Sequence, residues 1–380
     1  QALVLKRSSA MADPKNADQR EKRTVKEVKR LIRLEYKRSL YRLIGNTLNI
    51  KNENGHGLSR VDVPAPMVNQ PHLLTDPKTW KGPWVSVTDP EEIAQFVCEI
   101  NQKQYNQAHI TPFASQYLNE NIGMNLEGPA VASILNGTFQ LPHDAPLLPE
   151  TRRIITTLGT PPAGGRFTFP TLIKVDEFKA TYSIVKERTS SSISGRHVGH
   201  YKAATQDDQL SQLHSIMMSL PYIVGFSPER WQKVVDVMLE KDPGTPKIHR
   251  LRIIALIESD FNQSQRILIA RRLSHRMEDI QIIPEMQYGS RPGKLCISPV
   301  LNKQLTHDIV RQTKQTIAVI ENDAVGCYDR LMNPFILLGM RWLGVPESLA
   351  KSIGQTWSHT THFIKTQFGV STVSYTNKIG

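Results

Sequence analysis

Two aspartates, Asp323 and Asp329, stand six residues apart in the run TIAVIENDAVGCYDRL. The first closes an apolar, β-branched stretch and the second directly precedes Arg330. Ile317 and Val319 alternate with Ala318 and Ile320, so the run suits a half-buried strand over residues 316–322, with Asp323 where the chain leaves the sheet. A carboxylate placed there is a hard oxygen donor of the kind magnesium takes, with waters and substrate phosphates completing an octahedral shell. Two such ions about 4 Å apart can stabilise both the attacking and the leaving oxygen of a phosphoryl transfer. The same spacing also fits a plainer arrangement, one turn-capping aspartate and one ion pair to a neighbour such as Arg330.

Cations come next. In KDPGTPKIHRLRIIALIESDFN, Lys241 lies eleven residues before Arg252, with Arg250 a competitor for the same role. Arginine offers phosphate oxygens a planar fork and lysine a mobile point charge, although both are also ordinary surface residues. In MQYGSRPGKLCISPVL, the glycines around Gln287, Gly289 and Arg291 permit a tight backbone path close to a nucleic-acid strand. Arg291 is available there to a phosphate or to a carboxylate of the protein itself. The histidine pairs His197/His200 and His359/His362 have near-helical metal spacing but no third ligand. No nucleophile elbow, zincin or Walker motif is present.

These residues need elements to hold them. With 380 residues, 39% hydrophobic and 22% charged, the chain has material for two or three packed domains. Its net charge of +12 favours polyanionic partners, most simply nucleic acid. Three widely spaced cysteines indicate a reduced, intracellular protein, cytoplasmic or nuclear, and no apolar run has the length of a membrane span. The first residue is Gln1, and the chain reads as an excerpt of a longer one. Residues 1–60 read as a basic helical arm. From Arg20 to Arg42 ten Lys/Arg face three Glu, and Val25, Val28, Ile32, Tyr36, Leu40 and Leu43 keep helical spacing. Lys26, Arg30 and Arg33 are its candidate phosphate contacts. Residues 61–140 read as a small helical accessory region, with Asp89 or Thr88 capping a helix that starts at Pro90. Residues 141–170, with six prolines and three glycines, read as a linker, and 171–380 as the main domain. Within the last, the patterns predict helices over 176–187, 210–220, 228–239, 262–273, 303–313 and 334–343 and another through Leu349, Ile353 and Trp357. LRIIALI reads as a strand, and a hairpin turns near Gly369.

Over residues 175–380 the chain resembles the reverse transcriptases of non-LTR (LINE-type) retroelements. DAVGCYDRL resembles the family's D-x-x-x-A-F-D-x-V, with Cys327 at the usual alanine. KDPGTPKIHRLRIIALI resembles its fingers segment, with Ile253 where a proline is usual. QYGSRPG resembles Q-x-G-F-R-P-G, with Ser290 for the aromatic. The resemblance implies an α+β fold, the fingers and an incomplete palm of a right-hand polymerase, preceded by an α-helical region. It implies Asp323 as catalytic and metal-ligating aspartate for Mg²⁺ or Mn²⁺, and Tyr328 with Ala324 at the incoming nucleotide, Tyr328 as the sugar gate. It gives Asp329 a supporting role and makes Lys241 and Arg252 triphosphate ligands. Gln287, Gly289 and Arg291 would lie along nucleic acid, and Arg196 sits at a loosely similar template-contacting loop. RNA template, DNA primer and dNTPs are the implied partners, with an endonuclease domain outside this chain. The acidic pair that the family carries on a later hairpin has no counterpart in these residues, so the activity expected is that of a longer protein. The alternatives are a non-catalytic nucleic-acid or ribonucleoprotein-binding protein on a degenerate polymerase scaffold, and a group II intron-type maturase.

Overall fold

The computed structural model describes residues 57–69, 75–160, 162, 167–187, 189, 192–324 and 326–377. The basic arm over residues 20–44, with Lys26, Arg30 and Arg33, lies outside the described residues.

The fold is mixed α+β. Its main sheet has four strands, β3 (Lys233–Glu240), β4 (Leu251–Leu256), β5 (Thr361–Thr366) and β6 (Gly369–Thr376), in the order β4-β3-β5-β6. Two antiparallel hairpins, β3/β4 and β5/β6, meet through the parallel pair β3/β5. A second, two-stranded sheet joins β1 (Val61–Pro64) to β2 (Trp84–Val87), adding strands to a region that the sequence suggested was helical.

Side-chain alternation gives the main sheet two chemically different faces. Val234, Asp236 and Met238 of β3 share one face with His362 and Ile364 of β5 and Tyr375 of β6, and all six are buried. The helix Pro90–Tyr105 packs on this face through Ile93, Ala94 and Val97. Asp89 caps that helix as expected, its carboxylate accepting from the amides of Glu91 and Glu92 at 3.0 Å. The other face carries Val235, Val237 and Leu239 of β3, Arg252 and Ile254 of β4, Phe363 and Lys365 of β5 and Val370 of β6.

A second core forms among helices. Val175–Ile184, Asp208–Val224, Asn333–Trp342 and Glu347–Ser358 close around Phe178, Tyr182, Tyr222, Trp231, Leu337 and Ile353. A smaller core contains Leu118, Ile122, Ile134, Ile155 and Leu338. Its Ile155 lies on the helix Pro149–Leu158, which forms inside the Pro/Gly-rich stretch 141–170.

Two expected elements differ. The helix expected over 228–239 is a single 3₁₀ turn, Glu229–Gln232, followed by β3. The run VVDVML has β-branched residues and both faces engaged, which suits an inner strand with partners on each side. The strand expected over 316–322 is absent. That stretch is irregular and exposed, with Ile317, Val319 and Ile320 at 42%, 51% and 83%. A strand exists only where another backbone pairs with it, and the described strands close their sheets without this segment.

Candidate nucleic-acid interface

Three of the sequence-derived cations belong to the β3/β4 hairpin. Arg252 stands opposite Leu239 in the ladder and is exposed. Lys241 lies two residues beyond Leu239, its amide donating to the Arg250 carbonyl at 2.9 Å, and it too is exposed. Arg250 is occupied: its Nε donates to Asp242 at 2.8 Å. The structure thus distinguishes two candidates left open by spacing, leaving Lys241 and Arg252 as the cations without a carboxylate across the hairpin turn.

The β5/β6 hairpin brings in residues that local motifs did not suggest. Phe363 pairs with Val235, and Lys365 pairs with both Val237 and Val370, so both belong to the face of Arg252. At the strand positions of this face stand Lys233, Val235, Val237, Leu239, Arg252, Ile254, Leu256, Thr361, Phe363 and Lys365, with no Asp or Glu among them. Lys233 is spent on Glu229 at 2.6 Å. Leu239, Ile254 and Val370 are 37–41% exposed, so the face is open at its outer strands, whereas Val235 and Val237 at its centre are buried. Phe363 and Lys365 were legible only as alternation within THFIKT, which gains meaning once β5 is known to lie beside β3.

The motif residues of the QYGSRPG loop behave differently. Arg291 clamps its own loop: Nε and Nη2 hold Glu278 at 2.7 and 2.5 Å, and Nη1 donates to the carbonyls of Pro284 and Gln287 at 2.8 and 3.1 Å. The hydrogen bond to Glu278 holds Arg291 above the usual arginine value, and Arg291 holds Glu278 below the usual carboxylate range. Gln287 donates to the Gly289 carbonyl at 3.2 Å. Of the two fates open to Arg291, the intraprotein carboxylate is the one observed. Arg196 is exposed, and its charge reaches Tyr201 and His214.

Asp323 and Ala324 sit on the exposed irregular stretch, and Tyr328 is 84% exposed in the 3₁₀ turn Tyr328–Arg330. Asp329 is half-buried, with its charge felt at Tyr105, and Arg330 reaches Gln107 at 3.4 Å, so this turn rests on the end of the helix Pro90–Tyr105. Asp323 and Asp329 are therefore unequal, one free in solvent and one against the body. Among the described residues no three His, Cys, Asp or Glu side chains converge as a metal site. Of the two histidine pairs with near-helical spacing, His362 faces Asp236 at 3.2 Å inside the core.

No protein-family model matches the chain, and no curated protein does.

A second charged cluster is closed. Arg230 bridges Glu258 at 2.9 Å and Asp260 at 2.6 Å, and Trp231 Nε1 donates to Asp260 at 3.1 Å. Burial pulls Arg230 down, but the hydrogen bond and charge of Asp260 outweigh it and hold the guanidinium above its ordinary value. Both carboxylates are buried and spent on that cation. The cationic and apolar face of the main sheet is, by contrast, open at its outer strands. Unpaired cations beside an aromatic ring and β-branched side chains suit phosphates with bases stacked between them.

Proposed function

We propose that the acid-free face of the main sheet binds nucleic acid, and that residues 171–380 act as the fingers and first part of the palm of an RNA-directed DNA polymerase. The observation that carries the binding reading is that Arg252, Lys365 and Phe363 share one sheet face, open at its outer strands, whose strand positions carry no Asp or Glu. In the polymerase reading, Lys241 and Arg252 neutralise the triphosphate of the incoming dNTP, and Tyr328 tests its sugar. The primer 3′-hydroxyl attacks the α-phosphorus and pyrophosphate leaves. The sequence resemblance supports this finer reading.

The reaction class needs divalent metal, and the described residues do not by themselves make a site for it. Asp323 is exposed, and among the described residues no three His, Cys, Asp or Glu side chains gather, whereas magnesium is held by converging carboxylates and substrate phosphates. No metal-assisted step is assigned to this chain's residues. The exposed cations and aromatic ring of the sheet face, which predict binding and not chemistry, fit as second reading a non-catalytic nucleic-acid-binding protein on the same scaffold.

Lysine footprinting tests the binding reading. With a single-stranded oligonucleotide bound, reductive methylation should be suppressed at Lys365 and Lys241 and unchanged at Lys103 on the outer helix. Equal labelling of all three with and without oligonucleotide would remove the sheet face as the site.

A further inference from the structure

The turn of the β3/β4 hairpin is anchored to the small sheet. The Asp62 amide on β1 donates to the Pro246 carbonyl at 2.9 Å, and Asp62 pairs in parallel with Lys247. The Arg250 amide donates to the Lys247 carbonyl at 2.7 Å, closing a tight turn that contains His249. β2 supplies the third member of the cluster. Trp84 opens that strand opposite Pro64, with its ring 5.4 Å from the His249 ring and beneath Lys247 Nζ at 4.6 Å. Both rings are half-buried, and Trp84 is braced against the core under the helix Pro90–Tyr105, so the cluster is held in place yet reaches solvent.

The field at these rings is positive. Burial holds His249 below the ordinary histidine value, and Lys247 and Arg250 add to the lowering; Asp76 opposes it and Lys78 lowers it further. The neighbouring carboxylates are already engaged by the protein itself. Asp62 accepts from the Ser86 hydroxyl at 2.6 Å, Asp76 from the Lys78 amide at 2.9 Å, and Asp242 from Arg250 Nε at 2.8 Å.

We propose that the Trp84–His249–Lys247 cluster is a second contact for single-stranded nucleic acid, with one base stacked on Trp84 and the adjoining phosphate held by Lys247. This rests on the reading that the chain binds nucleic acid, and it carries the bound strand past the hairpin turn that bears Lys241. A ring and a cation 4.6 Å apart suit a polymer that alternates a π face with a phosphate, which lipid headgroups do not offer. A cation–π contact at a solvent-facing site is weaker than a base stack, so the arriving base takes the ring and Lys247 turns to the phosphate. A duplex keeps its bases stacked on one another and presents none to Trp84.

Photo-cross-linking of the whole chain to a single strand carrying iododeoxyuridine tests this. The expected adduct is on Trp84, in the tryptic peptide 82–103, which is separate from Trp80 in the peptide 79–81. It should vanish in Trp84→Leu. In anisotropy titrations Lys247→Ala should lower the slope of log K against log salt by about 0.7, and Lys247→Arg should restore it. Trp84→Leu should weaken binding about tenfold with the slope unchanged. An adduct confined to other residues, or a wild-type slope in Lys247→Ala, would overturn the proposal. Capture of anionic lipid vesicles through Lys247 without any oligonucleotide binding would overturn it too, assigning the cluster to a membrane surface. The sheet face is scored separately. A slope that falls in Arg252→Ala/Lys365→Ala but not in Lys247→Ala removes this contact alone, whereas a chain that binds no oligonucleotide removes both.

Discussion

Asp236 on β3 accepts a hydrogen bond of 2.5 Å from the Tyr375 hydroxyl on β6, two strands away across β5. His362 on β5 completes the bridge, its Nδ1 3.2 Å from each carboxylate oxygen. Tyr105 lies stacked beside both rings, 5.8 Å from His362 and 6.1 Å from Tyr375. One buried carboxylate thus links three strands beneath the helix Pro90–Tyr105. Burial pushes the Tyr375 phenol up, and Asp236 reinforces that, so the hydroxyl keeps its proton and remains a donor. Among the described strands the two hairpins pair through β3/β5, and this bridge helps fix how the face with Arg252 and Lys365 is assembled.

Removing the Tyr375 hydroxyl alone should reveal that role. Tyr375→Phe keeps the ring in the stack but leaves Asp236 buried with one donor fewer. A hydrogen bond to a charged group contributes about 1.5–3 kcal/mol, and that loss is the expected fall in unfolding free energy. Urea unfolding measures it directly; a change within the error of the wild type would mean that the carboxylate finds another donor.

Acid should weaken the helical core. Burial holds His214 below the ordinary histidine value; Asp260 pulls the other way, and Arg196 adds to the lowering. The ring stacks on Phe178 at 5.8 Å and meets the edge of Tyr201 at 5.3 Å. A depressed folded pKa means that the unfolded chain binds the extra proton first. Stability is therefore complete above the unfolded value, near 6.5, and is lost as pH falls through the folded one. His249 is also held low by burial and contributes with the same sign. His214→Gln should flatten, without abolishing, the decline in the urea midpoint between about pH 7 and pH 5. An identical slope in the variant would exclude His214 from the effect.

Legibility followed sequence distance. The cap at Asp89, the helices around Leu337 and Ile353 and the strand LRIIALI were visible because their signals are local. β3 was not, since a strand engaged on both faces has no simple alternation, and Pro228 before an apolar run also resembles a helix start. TIAVI carried the strongest strand-like signal near the proposed chemistry, yet it forms none among the described residues, because propensity supplies no pairing partner. Lys365 and Phe363 belong to no motif. The β3/β5 ladder, between strands more than a hundred residues apart in sequence, places them on the same sheet face as Arg252, across β3.

Arg291 offers a sharp contrast with the sheet cations. Its guanidinium is spent on Glu278 and two carbonyls. Arg291→Ala should therefore speed limited proteolysis within residues 280–296 while leaving the salt slope of oligonucleotide binding unchanged. A reduced slope with an intact loop would instead make Arg291 a phosphate contact.

The polymerase reading predicts a separation of functions. In a synthesis-competent protein carrying these residues, Asp323→Ala should abolish primer extension without loss of RNA binding, and Tyr328→Ala should admit ribonucleotides. Asp323 is exposed, so its replacement should change folding stability by no more than about 0.5 kcal/mol. Equal loss of synthesis and binding would give Asp323 a structural role.

The claim that the acid-free sheet face binds nucleic acid is tested most directly by fluorescence anisotropy of a labelled single-stranded oligonucleotide titrated with the chain at several salt concentrations. Each phosphate contact on a single strand contributes about 0.7 to the slope of log K against log salt, so Arg252→Ala/Lys365→Ala should lower that slope by about 1.4. Phe363→Ala should weaken binding by about 1–3 kcal/mol with the slope unchanged, as loss of base stacking requires. Wild-type affinity and slope in all of these variants would contradict the account.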